Sequence, residues 1–205
     1  AAKMPIRDRS AQPEFILDSQ TAASKKYGFY PFNDNPQEEN PERGYIVSAN
    51  FMPASPNQVP LPGYYNLADR GARLIEQLSQ PDIKWDLRNS QAVQLDNRSG
   101  YAQRLLAPLL DELHDSVKAK GEKILIKQLM DWQGEYALNS YLPTIFTEFT
   151  YQLLKASMLD ELGDEVFANL LRTRIIDSAL PLLSADEKSP WWHNHQTGAQ
   201  QTRQH

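Results

Sequence analysis

The prolines of this chain are unevenly spread, and their distribution limits its fold more than any other feature. Most of the fourteen lie before residue 67, in a stretch with little helical periodicity, whereas residues 67 to 185 read as successive amphipathic helices. Proline fixes φ, has no backbone N–H, and is disfavoured in both helix interiors and sheet centres. The expected fold is therefore α+β and predominantly α-helical. A proline-rich, strand-bearing segment is expected over residues 1–66, a helical region over 67–190 and a polar tail over 191–205.

Within the first segment, "GYIVSAN" at 44–50 alternates Tyr45, Val47 and Ala49 against Ile46, Ser48 and Asn50. Both faces are largely apolar, which predicts a strand buried between layers. It empties into a loop carrying Pro53, Pro56, Pro60 and Pro62. A second extended run is expected over "GFYPF" at 28–32, where Pro31 restricts it to an edge or a bend.

The helical part begins near "NLADRGARLIEQLSQ", with Asn66 as the expected cap and Asp69 in the first turn. At about 100° per residue, Leu67, Gly71, Leu74, Ile75 and Leu78 share a face. Arg70 falls on the shoulder of that face and Arg73 farther toward solvent. "YAQRLLAPLLDELHDSV" carries a leucine stripe interrupted by Pro108, which predicts a kink or a new helix start. "EKILIKQLMDW" follows, ending at Gly134. A long helix is then expected from about Leu142 to Leu162, with Pro143 in its first turn and Gly163 just past its end. Asp164 is expected to cap a further helix bearing Val166, Phe167, Leu170, Leu171 and Ile175.

With 40% apolar and 23% charged residues and a net charge of -5, the composition is that of a soluble globular chain. No basic cluster suggests nucleic acid. The absence of cysteine excludes disulfides, thiolate catalysis and cysteine-ligated metals. No apolar run approaches the roughly 20 residues that span a bilayer. The chain opens on "AAKMPIRDRS", without an initiator methionine or an apolar signal core, and reads as a piece whose targeting information lies elsewhere.

Familiar catalytic signatures, including a nucleophile elbow, a P-loop and a zinc-binding HExxH, are all absent. "WWHNH" at 191–195 spaces two histidines as metal ligands would be, but no carboxylate lies nearby in sequence, and it reads as exposed tail. Asp34, Glu38, Glu39 and Glu42 read as solvated loop charge, and His114 as a surface residue. Asn50 carries more chemical interest. A carboxamide N–H fixed at a strand end beside a proline-stiffened loop can stabilise an oxyanion, although an asparagine there also serves as an ordinary turn residue.

Read together, "KMPIR" at 3–7, "YGFYPF" at 27–32, "NPERGYIVSAN" at 40–50, "ADRGARLIEQL" at 68–78 and "WQG" at 132–134 resemble the large-chain interior of the penicillin acylase family. These are amidohydrolases of the N-terminal nucleophile class, with a larger αββα fold of which this chain would be a fragment. The resemblance implies hydrolysis of N-acyl compounds such as penicillins or acyl-homoserine lactones, by a serine exposed through self-cleavage. It places the oxyanion donor at Asn50 and a site-organising arginine at Arg70. Ala1 cannot be the nucleophile, so the serine and the small chain are expected outside these residues, and the segment alone is expected to be inert.

The implied partners are the remainder of the same precursor and a small N-acyl substrate, with no nucleic acid and no membrane span. No cofactor is expected in the segment, and calcium stays open for the full-length protein. Some relatives hold calcium through an aspartate after the strand, but no Asp or Glu lies between Asn50 and Asp69. Gln133 also stands where relatives often have Asp. The family habit implies a periplasmic or secreted location. The competing reading is a non-catalytic helical interaction module in which Asn50 only turns the chain.

Overall fold

Among the described residues of the amino-terminal part, one two-stranded ribbon is followed by a run of turns. In this computed structural model, residues 5–7, 18–20, 26–55, 59, 61, 65–195 and 199–200 are described. Ala1, Pro56, Pro60 and Pro62, on which expectations were placed, lie outside them. Contacts group the chain into two units, Ala1–Ile83 and Lys84–His205. Among the described residues there are seven α-helices and two two-stranded ribbons, so the fold is α+β and predominantly helical.

In the first unit, β1 (Pro5–Arg7) pairs antiparallel with β2 (Lys26–Phe29), with a register irregularity between Ile6 and Arg7. β2 ends before Pro31, as the missing donor requires, and a 3-10 turn follows at Phe32–Asp34. Asn40 has a positive φ of 47°, and the N–H of Gly44 closes a turn onto the Pro41 carbonyl at 2.8 Å. Within that turn Arg43 pairs with Glu38 and lies over the Tyr45 ring. Thus "NPERGY" is a folded corner leading into residues 45–50.

Those residues do not form the expected buried strand. Residues 45–48 are in no ladder, and Ile46 is 58% exposed. Burial still alternates, with Tyr45, Val47 and Ala49 turned inward and Ile46, Ser48 and Asn50 outward. Alternation reports which side is covered, whereas a strand also needs a neighbouring backbone to complete its hydrogen bonds. No described segment supplies that neighbour to residues 45–48.

α1 (Asp69–Leu78) starts without a side-chain cap. Asn66, expected to cap it, instead donates its backbone N–H to the carbonyl of Asn50 at 2.8 Å. The two arginines also reverse their expected exposure. Arg70 is exposed, while Arg73 is half-buried and pairs with Glu76 at 2.9 Å. A helical wheel gives an angle but not the partner that captures a long side chain.

The second unit opens with α2 (Leu87–Gln94), where the Asp86 side chain accepts the N–H of Asn89 at 2.8 Å. α3 (Tyr101–Leu106) and α4 (Leu110–Ser116) are separated by the turn containing Pro108, as the ring geometry predicts. Ala102 and Leu105 are fully sealed, and Leu106 nearly so. Each such leucine contributes roughly 1.5–3 kcal/mol from burial.

α5 (Lys120–Asp131) leads into the corner "WQG". Gly134 has φ +73°, and a Cβ there would stand 2.0 Å from the carbonyl oxygen of Ser99. Only glycine fits, because both the backbone angle and the space exclude a side chain. The Ser99 N–H bonds the Gly134 carbonyl at 2.9 Å, and Gln103 Nε2 bonds that of Trp132 at 3.0 Å. Arg98 donates to the backbone oxygen of Gln133 and, at 3.4 Å, to its Oε1, so the glutamine side chain serves as an acceptor.

α6 (Leu142–Leu170) has Pro143 in its first turn and is interrupted at Gly163, whose φ of 69° is not helical. Its second piece buries Phe167 but leaves Val166 52% exposed. Ile175, expected in that piece, instead begins α7 (Ile175–Ala185). The tail reading of 191–195 fails. Trp192 is 7% exposed, and its Nε1 donates to the Asp186 carbonyl at 2.7 Å. β3 (His193–Asn194) pairs with β4 (Ala199–Gln200), and the backbone N–H of His195 reaches Asp160 on α6. Two indoles bury enough apolar area to fold this segment onto the helices.

Candidate functional site

Asn50 adopts φ 62°, the left-handed region in which asparagine is several-fold enriched among side-chain-bearing residues. That angle ends the 45–49 run and turns the chain so that the carbonyl of residue 50 meets the N–H of Asn66. This turn brings the Asn50 side chain to the first turn of α1, where Arg70 Nη2 donates to Asn50 Oδ1 at 2.7 Å. The two site residues expected from sequence are thus in direct contact, twenty positions apart in the chain.

The contact also settles which way the carboxamide faces. A guanidinium has only donors, so the atom opposite it must be the amide oxygen. The NH2 group therefore points away from Arg70. No described residue accepts a hydrogen bond from it, and the residue is exposed. A charge-assisted bond to the oxygen withdraws electrons from the amide and strengthens its remaining N–H as a donor. The arrangement offers one oriented, outward-facing donor.

Arg70 is held against this acceptor by its place in the helix. Phe51 directly follows Asn50, Gly71 directly follows Arg70, and no motif in the sequence points to either as part of a site. The Phe51 ring lies against the backbone of Gly71 so closely that a Cβ there would be 2.4 Å from ring carbon Cε1. A glycine inside a helix, costing about 1 kcal/mol relative to alanine, was the available signal.

The remaining candidates stay apart from this pair in chemistry. His114 is exposed and shares a shallow cleft with Asp115, Lys127 and Met130. His195, contrary to expectation, does meet a carboxylate, with Nε2 2.9 Å from Glu161 Oε1. Among the described residues, no group of three histidines or carboxylates is arranged to hold a metal ion. The sequence from 51 to 68 contains no aspartate or glutamate. No helix of the described residues is long and apolar enough to cross a membrane.

Fold and site together define a mainly helical chain that presents a fixed carboxamide donor from a turn preceding an arginine-bearing helix. A sequence model described as penicillin amidase matches residues 1–205. The chain belongs to the penicillin amidase family, a family of amide hydrolases. No curated protein and no solved structure matches it.

Proposed function

We propose that this chain supplies the side-chain half of the oxyanion hole in an N-terminal nucleophile amidohydrolase acting on N-acyl compounds: penicillins, acyl-homoserine lactones or related amides. The observation that carries this reading is the 2.7 Å bond from Arg70 to Asn50 Oδ1, which turns Nδ2 outward. A serine outside these residues attacks the acyl carbonyl carbon, and its own α-amine takes the hydroxyl proton. The carbonyl oxygen becomes an oxyanion and accepts from Asn50 Nδ2. Collapse of the tetrahedral species expels the amine, which receives the proton, and water then releases the acid.

Arg70 acts on the donor rather than on the substrate. Arg70→Met keeps similar length but removes every donor, freeing the carboxamide to rotate. In the full-length enzyme we expect kcat to fall about 10- to 100-fold, the scale of a catalytic group displaced by about 1 Å. Steady-state kinetics with a chromogenic acyl-anilide check this, and an unchanged kcat would contradict it.

The rest of the precursor is the proposed partner of the amino-terminal unit. Support comes from its large exposed apolar side chains, among them Tyr27, Phe29, Phe32, Ile46 and Met52. Family membership supports export to the periplasm or beyond. Because the nucleophile lies elsewhere, residues 1–205 alone should not turn over the acyl-anilide. Measurable hydrolysis by the purified segment would overturn that division of labour.

A further inference from the structure

The bond between Arg70 and Asn50 joins two side chains that are both exposed, and an exposed hydrogen bond by itself fixes little. Something else must hold the two backbones in place. The neighbouring residues do so. Phe51 follows Asn50, and Gly71 follows Arg70. Gly71 is buried, while Phe51 is half-buried. An ideal Cβ on Gly71 would lie 2.4 Å from Phe51 Cε1, 2.5 Å from Cδ1 and 3.5 Å from Cζ. The first two distances are shorter than real carbon contacts, so the ring occupies the space that any side chain at 71 would need.

Gly71 has no positive φ and stands within α1, where alanine would be the better helix former. Local structure therefore gives no reason for glycine, whereas the ring does. Residue 50 is further tied by its carbonyl to the Asn66 N–H at 2.8 Å, one turn before the helix begins.

We infer that Phe51 and Gly71 are positioning residues for the Asn50 donor: the ring seated on the bare helix backbone sets the distance across which Arg70 reaches the carboxamide. Neither residue touches the reacting atoms. This inference rests on the oxyanion role of Asn50, and its test is built to separate the two.

In the full-length enzyme, Gly71→Ala pushes the ring from its seat. We expect kcat to fall about 10- to 100-fold, as for a small displacement of a catalytic group, with KM little changed. Phe51→Val removes the ring carbons that a new methyl would meet. Adding it to Gly71→Ala should restore part of the lost kcat, which a merely destabilising substitution would not do. Alone, Phe51→Val loosens the seat without a clash and should also lower kcat. It decides the matter if Gly71→Ala fails to fold.

The same two substitutions are then placed in an Asn50→Asp background. If they act through the carboxamide, they lower kcat no further there. Losses that multiply fully with that of Asn50→Asp, or a wild-type kcat for Phe51→Val, overturn the positioning role and leave the donor role standing. A wild-type kcat for Asn50→Asp itself overturns the donor role instead.

Discussion

Replacing Asn50 by aspartate in the full-length enzyme should lower kcat by about 100- to 1000-fold, the loss associated with removing one oxyanion donor. Aspartate is chosen because it tolerates the left-handed φ of 62° and still offers an oxygen to Arg70 Nη2. The bond between the carbonyl of residue 50 and the Asn66 N–H survives as well. What disappears is the outward N–H, replaced by an oxygen whose negative charge faces the oxygen that must itself become negative. The ground-state carbonyl is less affected, so the loss belongs in kcat rather than in KM. Turnover within about threefold of wild type would show that the donor lies elsewhere.

Trp192→Ala should be the most damaging single change to the helical unit. The indole is 7% exposed, joins the core cluster and satisfies the Asp186 carbonyl through Nε1 at 2.7 Å. Truncation leaves a cavity and removes the donor, for a cost of about 3–5 kcal/mol. For a unit the size of Lys84–His205, that corresponds to a fall of about 9–30 °C in thermal midpoint. Trp85→Ala is the matched control, since Trp85 is 40% exposed. A midpoint for Trp192→Ala no lower than that of the control would mean that the segment after Ser189 is not part of the folded unit.

The features legible in sequence were those governed by backbone rules. Pro108 separates α3 from α4, Pro143 opens α6, and Gly163 interrupts it, because missing N–H groups and positive φ angles act wherever the residue stands. The leucines around Pro108 were legible as core for a related reason, since helical spacing alone puts them on one face.

What stayed hidden depends on residues distant in sequence. The run 44–50 has strand composition, but whether it enters a ladder is decided by another backbone. The burial of Trp191 and Trp192 and the approach of His195 to Glu161 require α6 to pass beneath them. α2 is hard to read from sequence because "LRNSQAVQ" has little apolar periodicity, although Asp86 and Asn89 carry its cap at the expected spacing. At the site, Asn50 and Arg70 could be named through resemblance, but the orientation of the amide needed the contact itself. By spacing alone, Gly71 is one member of an apolar stripe. Its function as a seat for Phe51 exists only once the turn at Asn50 has brought the ring to the helix.

Binding of a transition-state analogue probes the donor more directly than turnover does. An acyl-side boronic acid adds the nucleophilic serine and places an anionic oxygen where the oxyanion would form. If Asn50 Nδ2 meets that oxygen, Asn50→Asp raises the inhibitor Ki in the same proportion as it lowers kcat/KM, while the affinity for the acid product changes little. A Ki that stays at the wild-type value while catalysis collapses would contradict the assignment, because the carboxamide would then be serving the enzyme without touching the charge.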